Sequence, residues 1–144
     1  MPSIVIIGGG PAGLSAAIYA ARANVQATVL YKDGGALGKT DKIENYFGFP
    51  EALTGAELLA RGRAQAKRLG ARLVQTEAIG FEYAENGFTV KTTDGAFPAN
   101  AVILATGAPR AVPPITGIAD FEGRGVSYCA ICDAFFYRGK SAAV

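Results

Sequence analysis

The sequence predicts an α/β fold built on a parallel sheet, and three observations carry that prediction. Two aliphatic runs without a charged residue, Ser3 to Ile7 and Ala101 to Ala105, have the pattern of strands covered on both faces. The first runs into a glycine cluster, then a small-residue helix, then a second strand at Ala27 to Tyr31, which is the order of a right-handed βαβ unit. Finally, 144 residues, half of them hydrophobic and 18% charged, suffice to bury one sizeable core.

The elements follow in order. Ala12 to Arg22 is a helix of small residues that can lie close on a sheet, with Asn24 as its stop. Lys32 to Leu53 is irregular and contains Gly34-Gly35 and the cluster Asn45-Tyr46-Phe47-Gly48-Phe49-Pro50. A stretch of roughly twenty residues without a period inside a compact domain marks a functional loop. Thr54-Gly55-Ala56-Glu57 has the Thr-x-x-Glu form of a capping box, opening a helix that carries Leu58, Leu59, Ala66 and Leu69 and ends before Gly70. Leu73 to Ile79, Gly80 to Tyr83 and Gly87 to Thr93 predict short antiparallel strands, a small meander with turns at Glu85-Asn86-Gly87 and Asp94-Gly95. Ala101 to Ala105 then repeats the buried-strand signature and meets Thr106-Gly107. Pro109, Pro113 and Pro114 mark a domain boundary, giving residues 1–114 and 115–144, and Lys140 to Val144 reads as the start of another strand.

Composition removes whole classes of function. With no histidine, Ser-His-Asp hydrolysis, Cys-His proteolysis and His-ligated zinc or haem are excluded within the chain. A net charge of +2, from 14 basic and 12 acidic side chains scattered along the sequence, offers no footprint for nucleic acid or an anionic membrane. No charged residue occurs between Met1 and Arg22, but Gly8-Gly9-Gly10-Pro11 breaks that stretch as a membrane helix or signal core. Two cysteines three positions apart, Cys129 and Cys132, suit a redox pair in a reducing, cytoplasmic setting better than a stapled secreted scaffold.

Two motifs carry chemistry. Gly8-x-Gly10-x-x-Gly13 lies between a buried strand and a helix, the context of a dinucleotide-binding fingerprint. Its first glycine permits the tight turn, its second leaves no Cβ between backbone and pyrophosphate, and its third lets helix and strand approach. The helix N-terminus then offers free N–H groups and a positive dipole end to the diphosphate. An acidic residue is expected at the end of the second strand for the ribose hydroxyls; Tyr31, Lys32 and Asp33 stand there instead. Either Asp33 substitutes for it or Tyr31 packs beside the adenosine. Gly38-Lys39-Thr40 resembles the end of a P-loop, but Asp33 occupies the first glycine position, where a carboxylate repels phosphate.

Cys129-Ala130-Ile131-Cys132-Asp133 has the C-x-x-C spacing at which two thiols close and reopen a small ring. A helix starting here lowers a cysteine pKa, and Asp133 stands beside the second sulfur to give or accept a proton. The competing readings are two buried core cysteines or half of a zinc site; zinc lacks the remaining ligands within this chain, so no metal site is expected.

Taken together, Gly8 to Gly13, Asp33-Gly34-Gly35-Ala36-Leu37, Glu44-Asn45-Tyr46, Ala105-Thr106-Gly107 and the C-x-x-C-Asp motif, in this order, resemble the N-terminal part of low-molecular-weight thioredoxin reductases. The resemblance implies a Rossmann-like FAD/NAD(P)-binding fold, incomplete in this chain. It places part of an FAD-binding domain in residues 1–114 and the beginning of an NAD(P)H-binding domain, with the redox cysteines, in 115–144. By that resemblance Gly8, Gly10, Pro11, Ala12 and Gly13 hold the FAD diphosphate, Gly35, Ala36 and Leu37 lie beside the flavin, and Asn45 contacts it. Ile79 matches the adenine neighbourhood, and Ala105, Thr106 and Gly107 the close approach of a strand end to the cofactor. Cys132 matches the thiol facing the flavin, Cys129 the thiol that attacks the partner disulfide, and Asp133 the proton donor.

The implied activity passes electrons from NAD(P)H through FAD and the cysteine pair to thioredoxin or a similar protein disulfide, in a homodimer. Three positions depart from the family pattern: Ala36 where Gln is usual, Tyr31 where an acid is common, and Ala134 where Gly is usual. The family's second glycine fingerprint and its returning flavin segment do not follow Ser141, so the expectation is a truncated chain, inactive alone. A non-catalytic flavin- or nucleotide-binding fragment that senses redox state is the alternative. Which electron donor serves, NADPH, NADH or ferredoxin, is left open by these residues.

Overall fold

The computed structural model describes residues 1–108 and 111–143, with the backbone alone at 131 and 132. The chain divides into two compact units, Met1–Gly107 and Ala108–Val144.

In the first unit, strand β1 (Ser3–Ile7), helix α1 (Pro11–Arg22) and strand β2 (Gln26–Tyr31) form the expected βαβ unit. Helix α2 (Gly55–Arg68) leads to β3 (Arg72–Gln75), then come β4 (Ala78–Ala84), β5 (Gly87–Thr92), β6 (Gly95–Ala99) and β7 (Ala101–Leu104). Strands β3-β2-β1-β7 make a four-stranded sheet, parallel throughout, with Ile6 opposite Val29 on one side and Ile103 on the other. Strands β4-β5-β6 form a separate antiparallel meander.

The uncharged strands are explained by what covers them. Ile6, Ala27 and Val29 are buried in one cluster with Leu14 and Ala17 of α1 and Leu59 and Ala66 of α2. The alternate residues Val5 and Leu30 are buried on the other side with Val90 and Ala99 of the meander. A parallel sheet covered on both faces needs apolar residues at successive positions, which is why its strands read as continuous runs.

Helix α2 opens as its capping box predicts. Thr54 Oγ1 accepts from the Glu57 N–H at 3.1 Å, and Glu57 Oε2 accepts from the Thr54 N–H at 2.8 Å. The Thr54 N–H bond, and after it the Thr54 hydroxyl donating to the same Glu57 Oε2 at 3.0 Å, hold the Glu57 carboxyl below its ordinary pKa. Gly55 follows the cap because an added Cβ would lie 1.7 Å from the Leu37 carbonyl oxygen. The backbone of the short 3-10 turn Leu37–Lys39 is thereby docked on the helix start.

Two sequence expectations are corrected. Leu73 to Ile79 is not one antiparallel strand: Arg72–Gln75 pairs parallel with β2 at the sheet edge, and Ala78 begins the meander. The corner is fixed at Thr76, which is buried, donates its N–H to the Tyr31 carbonyl at 2.9 Å and its hydroxyl to Asp94 Oδ2 at 2.6 Å. Alternation in sequence reports a strand but not its partner. Strand β6, which the sequence reading did not include, lies at the meander's edge, where its Pro98 is tolerated.

The second unit holds a 3-10 turn at Ile118–Phe121, the short helix α3 (Ala130–Asp133) and a 3-10 turn at Ala134–Tyr137. The strand expected from Lys140 is absent through residue 143, where no neighbouring strand pairs with it; Val144 and Pro109 lie outside the described residues. Among the described residues, no helix is long and apolar enough to cross a membrane.

Candidate functional site

The glycine elbow is built where the tips of β1, β2 and β7 meet. The Gly8 N–H donates to the Leu30 carbonyl at 2.8 Å, and the Ala105 N–H donates to the Ile7 carbonyl at 2.8 Å. Because β2 lies on one side of β1 and β7 on the other, the elbow stands at a switch point of the sheet, beyond its strand C-termini.

The three fingerprint glycines do different work. An added Cβ at Gly8, whose φ is +121°, would lie 2.0 Å from the Ala105 carbonyl oxygen, and one at Gly13 would lie 1.9 Å from the Gly8 carbonyl oxygen. Both are required by backbone packed against backbone. A Cβ at Gly10 would meet nothing within 4 Å, so Gly10 faces open space. Gly10 is also the N-cap of α1; it has no side-chain cap, and Pro11 stands in the first turn. The first intrahelical bond runs from the Leu14 N–H to the Gly10 carbonyl at 3.0 Å, which leaves the Ala12 and Gly13 N–H groups without a helical acceptor. Elbow and helix start therefore present backbone donors and the positive helix end to open space, the chemistry of a diphosphate site.

At the end of β2, an added Cβ on Gly9 would lie 2.6 Å from Tyr31 Cβ, so the tyrosine backs the elbow. The Arg63 guanidinium of α2 stacks over the Tyr31 ring at 4.3 Å and donates to the Asp33 carbonyl at 3.2 Å. Asp33 Oδ1 accepts from the Gly35 N–H at 2.7 Å, which commits that oxygen to shaping the Gly34-Gly35 turn. Lys32 pairs with Glu77 at 2.9 Å, and that carboxylate raises the lysine pKa.

The remaining sequence-nominated positions are spread more widely. Gly35, at φ +57°, has open space around it, while Leu37 is half-buried and packs against the helix-side core. Ala36 caps the 3-10 turn. Asn45 lies on an exposed loop whose residues 44–50 line a shallow recess of about 540 Å³. That loop is closed at its neck by Ile43 and Leu53, both buried, through bonds of 2.8 and 3.2 Å. Ile79 is exposed on β4. Thr106 adjoins the elbow through the contact of Gly8 with the Ala105–Thr106 peptide, and Gly107 is exposed with φ +76°. Thus Gly8, Gly13, Tyr31, Ala105 and Thr106 converge at the strand tips, while Asn45 lies on the exposed loop and Ile79 on the meander.

In the second unit, helix α3 starts immediately after Cys129, and Asp133 ends it. Ser127 Oγ accepts from the Cys129 N–H at 3.1 Å and donates to Asp133 Oδ2 at 2.5 Å. The Cys132 side chain lies outside the described residues. Among the described residues, no three His, Cys, Asp or Glu side chains stand together as a metal site. Sequence reasoning missed Arg63 and Ser127. Nothing local marks Arg63, whereas a hydroxyl two residues before a cysteine at a helix start is a readable turn signal.

Residues 2–144 match the Pyridine nucleotide-disulphide oxidoreductase family. A thioredoxin reductase of Aquifex aeolicus is 46% identical over 144 residues, which cover 98% of this chain and 45% of that protein. Among solved structures, the atypical thioredoxin reductase TRi from Desulfovibrio vulgaris Hildenborough is 49% identical with a TM-score of 0.71, over 96% of this chain and 47% of that one. The thioredoxin reductase from Streptococcus pyogenes is 35% identical with a TM-score of 0.83, over 93% of this chain and 44% of that one. The chain spans about half the length of the curated relatives it matches. Its Rossmann-like parallel sheet, its glycine elbow and this likeness agree: the chain belongs to the pyridine nucleotide-disulphide oxidoreductase family, and within it resembles the thioredoxin reductases.

Proposed function

We propose that this chain is the FAD-holding and disulfide-bearing part of a thioredoxin-reductase-like oxidoreductase. The observation that supports it best is the division of labour among the fingerprint glycines: Gly8 and Gly13 are closed by backbone, and Gly10 alone opens outward beside an uncapped helix start. In this reading Gly8, Gly10, Pro11, Ala12 and Gly13 hold the diphosphate of FAD. Tyr31 and Asp33 border the adenosine, with Tyr31 packing and Asp33 supporting the turn, and Ile79 lies near the adenine. Gly35, Ala36, Leu37 and Asn45 would lie beside the flavin, and Ala105, Thr106 and Gly107 would be the strand end that approaches the cofactor closely. Once bound, FAD supplies two-electron exchange between a nicotinamide and a disulfide. Residues 1–114 serve that cofactor, and 115–144 begin the part that meets NAD(P)H.

The chain's own chemistry is thiol–disulfide exchange. The Cys129 thiolate attacks one sulfur of the acceptor disulfide, forming a mixed disulfide and expelling one acceptor thiolate. Cys132, giving its proton to Asp133, attacks the Cys129 sulfur, which closes the Cys129–Cys132 bond and releases the second acceptor thiolate. The acceptor gains two electrons and the cysteine pair loses them. Thioredoxin or a thioredoxin-like protein disulfide is the acceptor, the working form is a homodimer, and the setting is the reducing cytoplasm.

Titration of the purified protein with FAD tests the reading. Flavin fluorescence is expected to be quenched as FAD binds, and partial reduction to give a long-wavelength absorbance shoulder that disappears in Cys132→Ser. Flavin fluorescence unchanged at every protein concentration overturns the assignment.

A further inference from the structure

We propose that Ser127 is a positioning residue for Asp133, fixing which carboxylate oxygen handles the proton of the cysteine pair; this rests on the exchange reading above. The serine hydroxyl has a single proton and two acceptors in reach: Asp133 Oδ2 at 2.5 Å and the Cys129 carbonyl at 3.4 Å. The shorter bond to a carboxylate is much the stronger, so the proton points to Asp133. The Cys129 N–H, donating to the same Oγ at 3.1 Å, takes one of its lone pairs and fixes the direction of the hydroxyl. One serine therefore ties the backbone of the first cysteine to the side chain of the aspartate that follows the second. With Oδ2 engaged, Oδ1 remains to carry the proton. Asp133 is thereby held across the span of α3 rather than left to its own rotamers.

The consequence is visible in reduction of the Cys129–Cys132 disulfide by dithiothreitol, which needs no flavin. A dithiothreitol thiolate attacks the Cys129 sulfur, the bond between the two cysteines breaks, and the departing Cys132 thiolate takes the proton from Asp133 Oδ1. The second dithiothreitol thiol gives its proton to solvent, closes its own ring and releases Cys129 as the thiolate, so the pair gains the two electrons that dithiothreitol loses. The rate is followed by acid quenching, alkylation and mass measurement of the intact protein.

Asp133→Asn is expected to slow this step about 100-fold, and Ser127→Ala about tenfold. Ser127→Thr, which keeps the hydroxyl, restores the rate to within about twofold. In the Asp133→Asn background, Ser127→Ala changes the rate by less than about twofold, because its effect travels through the carboxylate. An equal loss from Ser127→Ala in both backgrounds means that the serine only supports the turn, and the inference falls. Asp133→Asn slow with Ser127→Ala unaffected also overturns it while leaving the exchange reading intact. An Asp133→Asn protein reduced at the normal rate removes the aspartate's role in that reading, and the inference with it.

Discussion

The two compact units of this chain are held by different means. Met1–Gly107 contains every buried residue among those described, most of them in two clusters on opposite faces of one parallel sheet. Between Ala108 and Ala143 no described residue is fully buried, and the order rests on short turns and local hydrogen bonds such as those of Ser127. The difference teaches where a mutation acts. In the first unit a side chain is specified by what surrounds it; in the second, by its own backbone and near neighbours in sequence.

The sharpest way to break that contrast uses one methyl group in two places. Gly13→Ala sets a Cβ against the Gly8 carbonyl and is expected to cost at least about 3 kcal/mol in urea unfolding. Gly10→Ala points the same methyl into open space; stability should fall by less than about 1 kcal/mol, while FAD binding weakens about tenfold or more. Equal losses of stability at the two positions would sink the division of roles at the elbow.

Next in size is a pair of apolar truncations, one in each unit. Leu59 is 3% exposed in the helix-side core, and Leu59→Ala should cost about 3 kcal/mol. Phe135 is 72% exposed, and Phe135→Ala should stay within about 0.5 kcal/mol. Thermal unfolding of both variants reads the difference, and a large loss at Phe135 would show that the second unit has a core of its own.

The smallest expected effect is at the start of α2. Thr54→Ala removes the hydroxyl from the capping box while keeping the backbone bond to Glu57, and should cost about 1 kcal/mol at neutral pH. Because the Thr54 hydroxyl's bond to Glu57 Oε2 is one of the two that lower the Glu57 pKa, the hydroxyl's share of the stabilisation is present above the ordinary carboxylate range. It is lost as pH falls through the lowered folded value, so the gap between wild type and variant should narrow on acidification. A gap constant from neutral to acid pH would separate the cap from the carboxylate.

Much of the fold could be read from the chain because its signals are local. The runs at Ser3 to Ile7 and Ala101 to Ala105, the glycines between strand and helix, and Thr54 with Glu57 each report a structure formed within a few residues. What escaped depends on partners far away in sequence. Arg72–Gln75 joins the parallel sheet because Tyr31 stands beside it, and Gly55 is required by the Leu37 carbonyl. Among the nominated site residues, the elbow glycines were legible from spacing. The turn that Asp33 makes with the Gly35 N–H was not, since spacing alone does not say which neighbour an aspartate at a strand end will accept from.

The neck formed by Ile43 and Leu53 gives the aromatic stretch beyond it the character of a cassette. Its two anchors are buried and bonded to each other, so changes at the tip, where Phe47 is wholly solvent-facing, need no readjustment beneath. Lengthening such a pinned segment costs only a slowly growing closure entropy. An engineer seeking to retune this surface can therefore exchange Phe47 at the tip, while Phe49, whose ring lies under Arg61 of α2 at 5.1 Å, is tied to the helix behind it.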